Sequence, residues 1–211
     1  MSPLLTTGPS DAPVHLLLAH GAGAPMTSPF LDRLTSAFAG HGVQTTRFEF
    51  DYMARRRTDG VKRPPPKMER LTVEFRSAIA ALAPHNGQRF LIGGKSMGGR
   101  VASLIADDLF AARAICGLVC LGYPFHPPKK PSSLRTQHLQ ALICPTLIIQ
   151  GERDPFGTRS EVAGYDLSRA VELHWLADGD HDFKPRRSSG HTQAGHIETA
   201  AAVIAQLTDA P

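Results

Sequence analysis

Residues 89–99 read Arg-Phe-Leu-Ile-Gly-Gly-Lys-Ser-Met-Gly-Gly. The first four read as a strand, with Phe90, Leu91 and Ile92 its apolar residues, and residues 101–112 carry apolar side chains at helical spacing. Between the two lies Gly94-x-Ser96-x-Gly98. In a sharp turn from strand to helix, a serine presents its hydroxyl at the carboxyl edge of a sheet, beside a helix N-terminus that stabilises developing negative charge. The small flanking residues let neighbouring chain approach closely. The five-residue pattern alone recurs by chance, and its strand–turn–helix setting is what gives it meaning. A rival reading takes Gly94-Lys95-Ser96 as the end of a phosphate-binding loop. That motif needs a glycine five positions before Gly94, and the residue there is Arg89, inside the strand.

Working outward, residues 14–19 read as a buried strand ending in the glycine turn His20-Gly21-Ala22-Gly23. Ser28 or Pro29 starts a helical segment that Gly40 and Gly42 stop. Residues 45–50 alternate like a strand and lead into a charged, proline-rich stretch through Lys67. Residues 68–83 have helical spacing. Strands follow at 115–121, 146–150 and 171–176, and a last helix runs roughly over 195–207. This alternation predicts a single α/β domain, ordered over about 14–208, with a mostly parallel central sheet and helices on both faces. No insertion of cap-domain length separates 115–121 from Thr146.

A serine hydroxyl needs a base and an orienting acid to act as a nucleophile at neutral pH. Asp154 follows the strand 146–150 and sits in the turn Arg153-Asp154-Pro155-Phe156-Gly157, while Glu152 is a rival nearer the strand end. His181 lies in a short loop directly after the last strand. His191 and His196, bordering the last helix, stay open as alternative bases. His15, His174 and His85 read as strand or surface residues, and Asp180 and Asp182 as solvated neighbours. An oxyanion needs two backbone N–H groups, and Met97, after the serine, and Ala22, in the first glycine turn, are the candidates. His20 reads as a structural turn residue. The cysteines and histidines lack the paired spacing of a metal site, so no metal and no cofactor is expected.

The chain of 211 residues is long enough to bury roughly 70% of its unfolded surface without a disulfide or metal. At 42% hydrophobic and 20% charged residues, wholesale disorder is excluded. Cys116, Cys120 and Cys144 are an odd set, which points to free thiols in a reducing compartment. The first residues lack the basic and apolar regions of a signal peptide, and no apolar run reaches membrane length. A soluble, cytoplasmic protein with no membrane partner is therefore expected. Three proline-rich segments, 51–67, 123–131 and 182–190, hold 11 of the 23 Lys/Arg but 3 of the 19 Asp/Glu. They carry no recognised reader motif, so nucleic acid is not the expected partner. Each follows a strand, which puts Arg55, Arg56, Arg57, Lys129, Lys130, Arg186 and Arg187 on the ligand-binding edge of a parallel sheet. They are candidate contacts for an anionic substrate, or surface charges that only solubilise loops.

The motifs HGAG, GGKSMGG, GERDPFG and GDHDF together resemble those of α/β-hydrolases. The chain is similar to short, lidless members: the dienelactone-hydrolase-like group and the hydrolase-like domain of the NSL chromatin-complex subunit. The resemblance implies that Ser96, Asp154 and His181 are nucleophile, acid and base. Dienelactone hydrolases proper carry a cysteine nucleophile, and Ser96 departs from that pattern. The expected function is hydrolysis of a carboxylic ester of a small acyl substrate by a serine hydrolase. Thioester or peptide hydrolysis, and a catalytically silent interaction module on the same fold, are the alternatives. The oligomeric state is not readable from the sequence.

Overall fold

All six residues of Val14–Ala19 are buried, and a strand without a solvent face must lie inside a sheet covered on both sides. The computed structural model describes residues 4–82 and 87–208. It contains seven strands: β1 (Leu5–Thr7), β2 (Val14–Ala19), β3 (Val43–Phe48), β4 (Arg89–Lys95), β5 (Gly117–Leu121), β6 (Thr146–Gly151) and β7 (Val171–Leu176). The seven helices are α1 (Pro29–Gly40), α2 (Asp51–Asp59), α3 (Met68–Ala81), α4 (Met97–Ser103), α5 (Ala106–Ala111), α6 (Arg159–Val162) and α7 (Gln193–Ala205). The strands form one sheet in the order β1-β3-β2-β4-β5-β6-β7. Every neighbouring pair is parallel except β1–β3.

Period-two alternation splits the core between two faces. Leu17, Ala19, Ile92, Leu118, Cys120 and Ile148 pack on the side of α3 and α4, with Leu71, Phe75 and Val101. Leu16, Leu18, Leu91, Val119, Leu121 and Ile149 pack on the side of α1 and α7, with Leu34, Phe38, Ile197 and Ile204. Phe75 is wholly enclosed, in edge-to-face contact with Phe48 at 4.9 Å. Truncating such a side chain costs about 3–5 kcal/mol.

The chain reaches β3 on one side of β2, then crosses back to lay β4 on the other. This reversal opens a crevice at the carboxyl ends of β2 and β4, where ligands bind in open α/β sheets. The two glycine turns read from the sequence, after Ala19 and at Gly94–Gly98, both fall there. Register brings them level, with Ala19 opposite Gly94.

The elements differ from the sequence reading in four places. The edge strand β1 was not expected. The strand read at 45–50 is β3, two residues earlier. It carries buried Gln44, Thr45, Thr46 and Arg47. Thr46 Oγ1 bonds His15 Nε2 at 2.8 Å, and Arg47 donates to the Met26 carbonyl at 2.7 Å. The charged stretch after it is not all loop, since α2 spans its first half. The helix read over 101–112 is two, α4 and α5. His15 lies on β2 and His174 on β7, while His85 falls outside the described residues. Among the described residues no helix is long and apolar enough to cross a membrane.

Candidate active site

Ser96 joins β4 to α4 with φ +53° and ψ −116°. A non-glycine residue there stores about 1–3 kcal/mol of strain, so the surroundings must impose it. They do so by close backbone packing. A Cβ on Gly94 would lie 2.3 Å from the Gly98 carbonyl carbon, and one on Gly98 would lie 2.7 Å from the carbonyl oxygens of Ala19 and His20. The Ser96 amide donates to the Leu121 carbonyl at 2.9 Å. Strand end, elbow and the turn after β2 are thus locked together, and the serine has no relaxed alternative.

The turn after β2 is built from buried polar contacts. His20 is fully enclosed; its Nδ1 donates to the Gly21 carbonyl at 2.7 Å and its Nε2 accepts from the Phe50 amide at 3.1 Å. That pairing requires the neutral Nδ1–H tautomer, and burial pushes the imidazole pKa below its ordinary value. From α2, the Tyr52 hydroxyl donates to the Ala22 carbonyl at 3.0 Å and Arg56 donates to the Gly23 carbonyl at 3.2 Å. Burial raises the Tyr52 pKa, which keeps the phenol a donor. A Cβ on Gly21 would stand 3.7 Å from Ser96 Cβ, so this turn abuts the serine. Among the described residues, the amides of Ala22 and Met97 donate to no protein acceptor. Tyr52→Phe is expected to loosen Ala22, lowering kcat for ester hydrolysis about five- to tenfold with little change in KM, as for a group acting only in the transition state. A rise in KM at constant kcat would instead place Tyr52 in substrate binding.

His181 and Asp154 meet from successive loops. His181 Nδ1 lies 2.7 Å from Asp154 Oδ2. Asp154 is wholly buried and also accepts from Gln150 Nε2 at 3.0 Å and the Phe156 amide at 2.9 Å. The carboxylate is therefore satisfied on both oxygens and held in one orientation. The Phe156 ring covers the imidazole, with centroids 4.4 Å apart. Gly122 explains how close His181 comes to the elbow: a Cβ there would lie 3.3 Å from His181 Nδ1, and Gly122 adopts φ +65° directly after Leu121. The Ser96 hydroxyl itself has no hydrogen-bond partner among the described residues; such contacts tighten when substrate binds.

The rivals sit elsewhere. Glu152 accepts from Arg159 at 2.6 Å and from the Asp178 amide at 3.0 Å, bonds that hold its carboxyl below the usual range. His196 Nδ1 donates to the Phe183 carbonyl at 2.8 Å, and the His191 ring packs against His196. Asp180 accepts the amides of Asp182 and Lys184. Asp182 has a partner that the sequence did not suggest. Lys95, inside the serine motif, is buried, with Nζ 3.3 Å from Asp182 Oδ1 and 5.7 Å from the Phe30 ring centroid. A Gly122 Cβ would lie 3.2 Å from that Nζ. Burial lowers the Lys95 pKa, against the pull of Asp182 and Asp154.

The basic residues do not form one group. Arg57 pairs with the buried carboxylate of Glu49 at 3.0 Å, Arg186 with Asp178, and Arg55 loosely with Asp51 at 4.0 Å. Arg56 reaches the turn after β2, while Lys129, Lys130 and Arg187 are exposed. Among the described residues no cluster of three His, Cys, Asp or Glu is placed to hold a metal, and the three cysteines are free thiols.

A parallel sheet with a strained serine at its switch point is the architecture of a hydrolase class, and comparison with known proteins agrees. The family model described as an alpha/beta hydrolase domain matches residues 12–209, and the chain belongs to that family. Among solved structures it is similar to a dienelactone hydrolase from Anabaena variabilis, with TM-score 0.71 and 20% identity, covering 96% of this chain and 88% of that one. It is also similar to an alpha-beta serine hydrolase homologue from Coxiella burnetii, with TM-score 0.61, 17% identity and coverage of 97% and 90%. A serine hydrolase without lid from Xanthomonas campestris aligns with TM-score 0.62, 16% identity and coverage of 97% and 86%.

Proposed function

We propose that this chain is a serine hydrolase that cleaves a carboxylic ester through an acyl-enzyme. Ser96 Oγ attacks the carbonyl carbon as His181 Nε2 takes the hydroxyl proton. Asp154 holds the Nδ1–H tautomer and stabilises the imidazolium. The amides of Ala22 and Met97 receive the oxyanion. His181 then returns the proton to the leaving alcohol, and water, deprotonated by the same nitrogen, releases the acid from Ser96. The observation that carries this reading is the strained Ser96 at the switch point, with the His181–Asp154 pair lodged against Gly122 beside it. A fluorophosphonate probe is expected to form one covalent adduct, which peptide mapping places on Ser96. Absence of an adduct, or an adduct elsewhere, overturns the reading.

For the substrate we propose a small acyl compound, with the half-buried Arg56 and the exposed Lys129, Lys130 and Arg187 favouring negative charge through their local field. The ratio of kcat/KM for a carboxylate-bearing ester to that of its neutral isostere is expected to exceed one at about 20 mM salt. It should shrink toward parity at about 500 mM as the screening length contracts. Equal rates at low salt would leave these side chains a solubilising role only.

A further inference from the structure

Arg100 lies one turn beyond Ser96 on α4, its amide donating to the Ser96 carbonyl at 3.1 Å. Arg100 and Leu104, four apart, share a helix face. That face forms one wall of a cleft of about 490 Å³, closed on the other side by Leu134, Arg135, Gln137 and His138. Neither arginine has an ion-pair partner among the described residues, and Arg100 Nε is sealed from solvent without a hydrogen bond. The carboxylate whose charge reaches His138 is Asp107, and its Oδ1 is taken by the amides of Ile143 and Cys144 at 3.0 and 2.9 Å.

Two unpaired guanidiniums brought together repel. Burial first, and then the charge of Arg100, lower the Arg135 pKa and the His138 pKa, with Asp107 pulling His138 the other way. The wall carrying Arg135 is fixed in place. The buried Tyr123 donates its hydroxyl to the Arg135 carbonyl at 3.0 Å, and the Arg135 amide donates to the Phe125 carbonyl at 2.8 Å. His138 Nε2 is held 2.8 Å from Ser103 Oγ and 3.4 Å from the Tyr123 hydroxyl. The repulsion is thus built into a rigid frame.

We propose that the cleft of Arg100, Arg135 and His138 is a binding site for a phosphate group. A phosphate dianion supplies the missing counter-charge, and its several oxygens suit two planar guanidinium forks better than a single carboxylate does. Leu104 and Leu134, 38% and 50% exposed at the cleft, add an apolar surface that fits the organic half of a phosphate monoester. The cleft includes none of Ser96, Asp154 and His181, so the proposal does not rest on the hydrolase reading.

Calorimetric titration of the full chain with inorganic phosphate and with phenyl phosphate, at low salt, tests the site. Both ligands are expected to bind one-to-one to wild type and equally to Ser96→Ala. Arg100→Gln and Arg135→Gln should each weaken binding about tenfold or more, the loss of one charge-assisted pair. Arg100→Lys, which keeps the charge but not the fork, should fall between. Without ligand, the two glutamine variants should melt no lower than wild type, because each removes a repulsion; arginines with a merely structural role would give lower Tm values. If Arg100→Gln fails to fold, Arg135→Gln and Arg100→Lys carry the comparison. Tighter phenyl phosphate assigns the site to phosphate monoesters, and equal affinities assign it to free phosphate. No binding of either by wild type, or binding unchanged in the folded arginine variants, overturns it.

Discussion

Ser96→Ala is expected to lower kcat/KM for a short p-nitrophenyl ester by at least about 10³-fold, ~4 kcal/mol of transition-state stabilisation, and to abolish fluorophosphonate labelling. The fold should survive. Alanine is smaller than serine, and the elbow is held by the glycines at 94 and 98 and by the Ser96 amide, none of which involves the hydroxyl. Wild-type turnover by Ser96→Ala would remove the serine from the chemistry altogether.

Asp154→Asn and Glu152→Gln are expected to separate by more than two orders of magnitude in kcat. Asparagine at 154 keeps the volume, but its amide NH₂ can stand where Oδ2 now faces Nδ1 at 2.7 Å, favouring the wrong imidazole tautomer. A fall of about 10³-fold or more follows. His181→Ala should fall by a similar amount, and the double variant little further, because the two act as a unit. Glu152→Gln should keep kcat within about tenfold, since its carboxylate bonds Arg159 and the Asp178 amide. Its effect belongs to stability. A carboxyl held below its unfolded range stabilises the fold above the ordinary glutamate pKa of about 4.3, and that stabilisation is lost as pH falls through the lowered folded value. The Tm deficit of Glu152→Gln should therefore be present at pH 7 and shrink in acid. If Glu152→Gln is the crippling change in kcat, the acid lies two residues earlier.

The strands were legible where their buried residues are mainly apolar, as at 16–19, 118–121 and 147–149, because such short apolar runs bounded by turns admit few other readings. Legibility failed where burial is polar or local. In β3, Gln44 and Arg47 are buried through partners far along the chain, so the apolar pattern pointed two residues too late. In α2, the inward side chains Tyr52 and Met53 occupy a single turn before three arginines, too short a stripe for helical periodicity to register. Only Gly60, which ends the helix at φ +72°, could have marked it. The break between α4 and α5 carries neither proline nor glycine. At the candidate site, strand-end position pointed to Ser96, Asp154 and His181, the last two of which lie 2.7 Å apart. Tyr52, Phe156 and Lys95 were missed because each acts through a contact with another loop. Arg100, directly after the serine motif, was hidden in plain view, since an absent counter-charge is visible only once the neighbours are in place.

The segment 122–145 between β5 and β6 has a consequence for the fate of an acyl-enzyme. It is stitched to the body: Tyr123, Phe125, Leu139 and Leu142 are buried, the Leu139 carbonyl accepts from the Ser168 amide at 2.9 Å, and the Leu142 carbonyl accepts from the Ser168 hydroxyl at 2.6 Å. Chain spent in this way cannot fold across Ser96 to exclude solvent. Under the proposed chemistry this segment provides no cover over the covalent intermediate, and water is left to compete with any alcohol for the acyl carbon at every turnover. Under that same proposal, such an architecture would favour the free acid over transfer of the acyl group to a second acceptor.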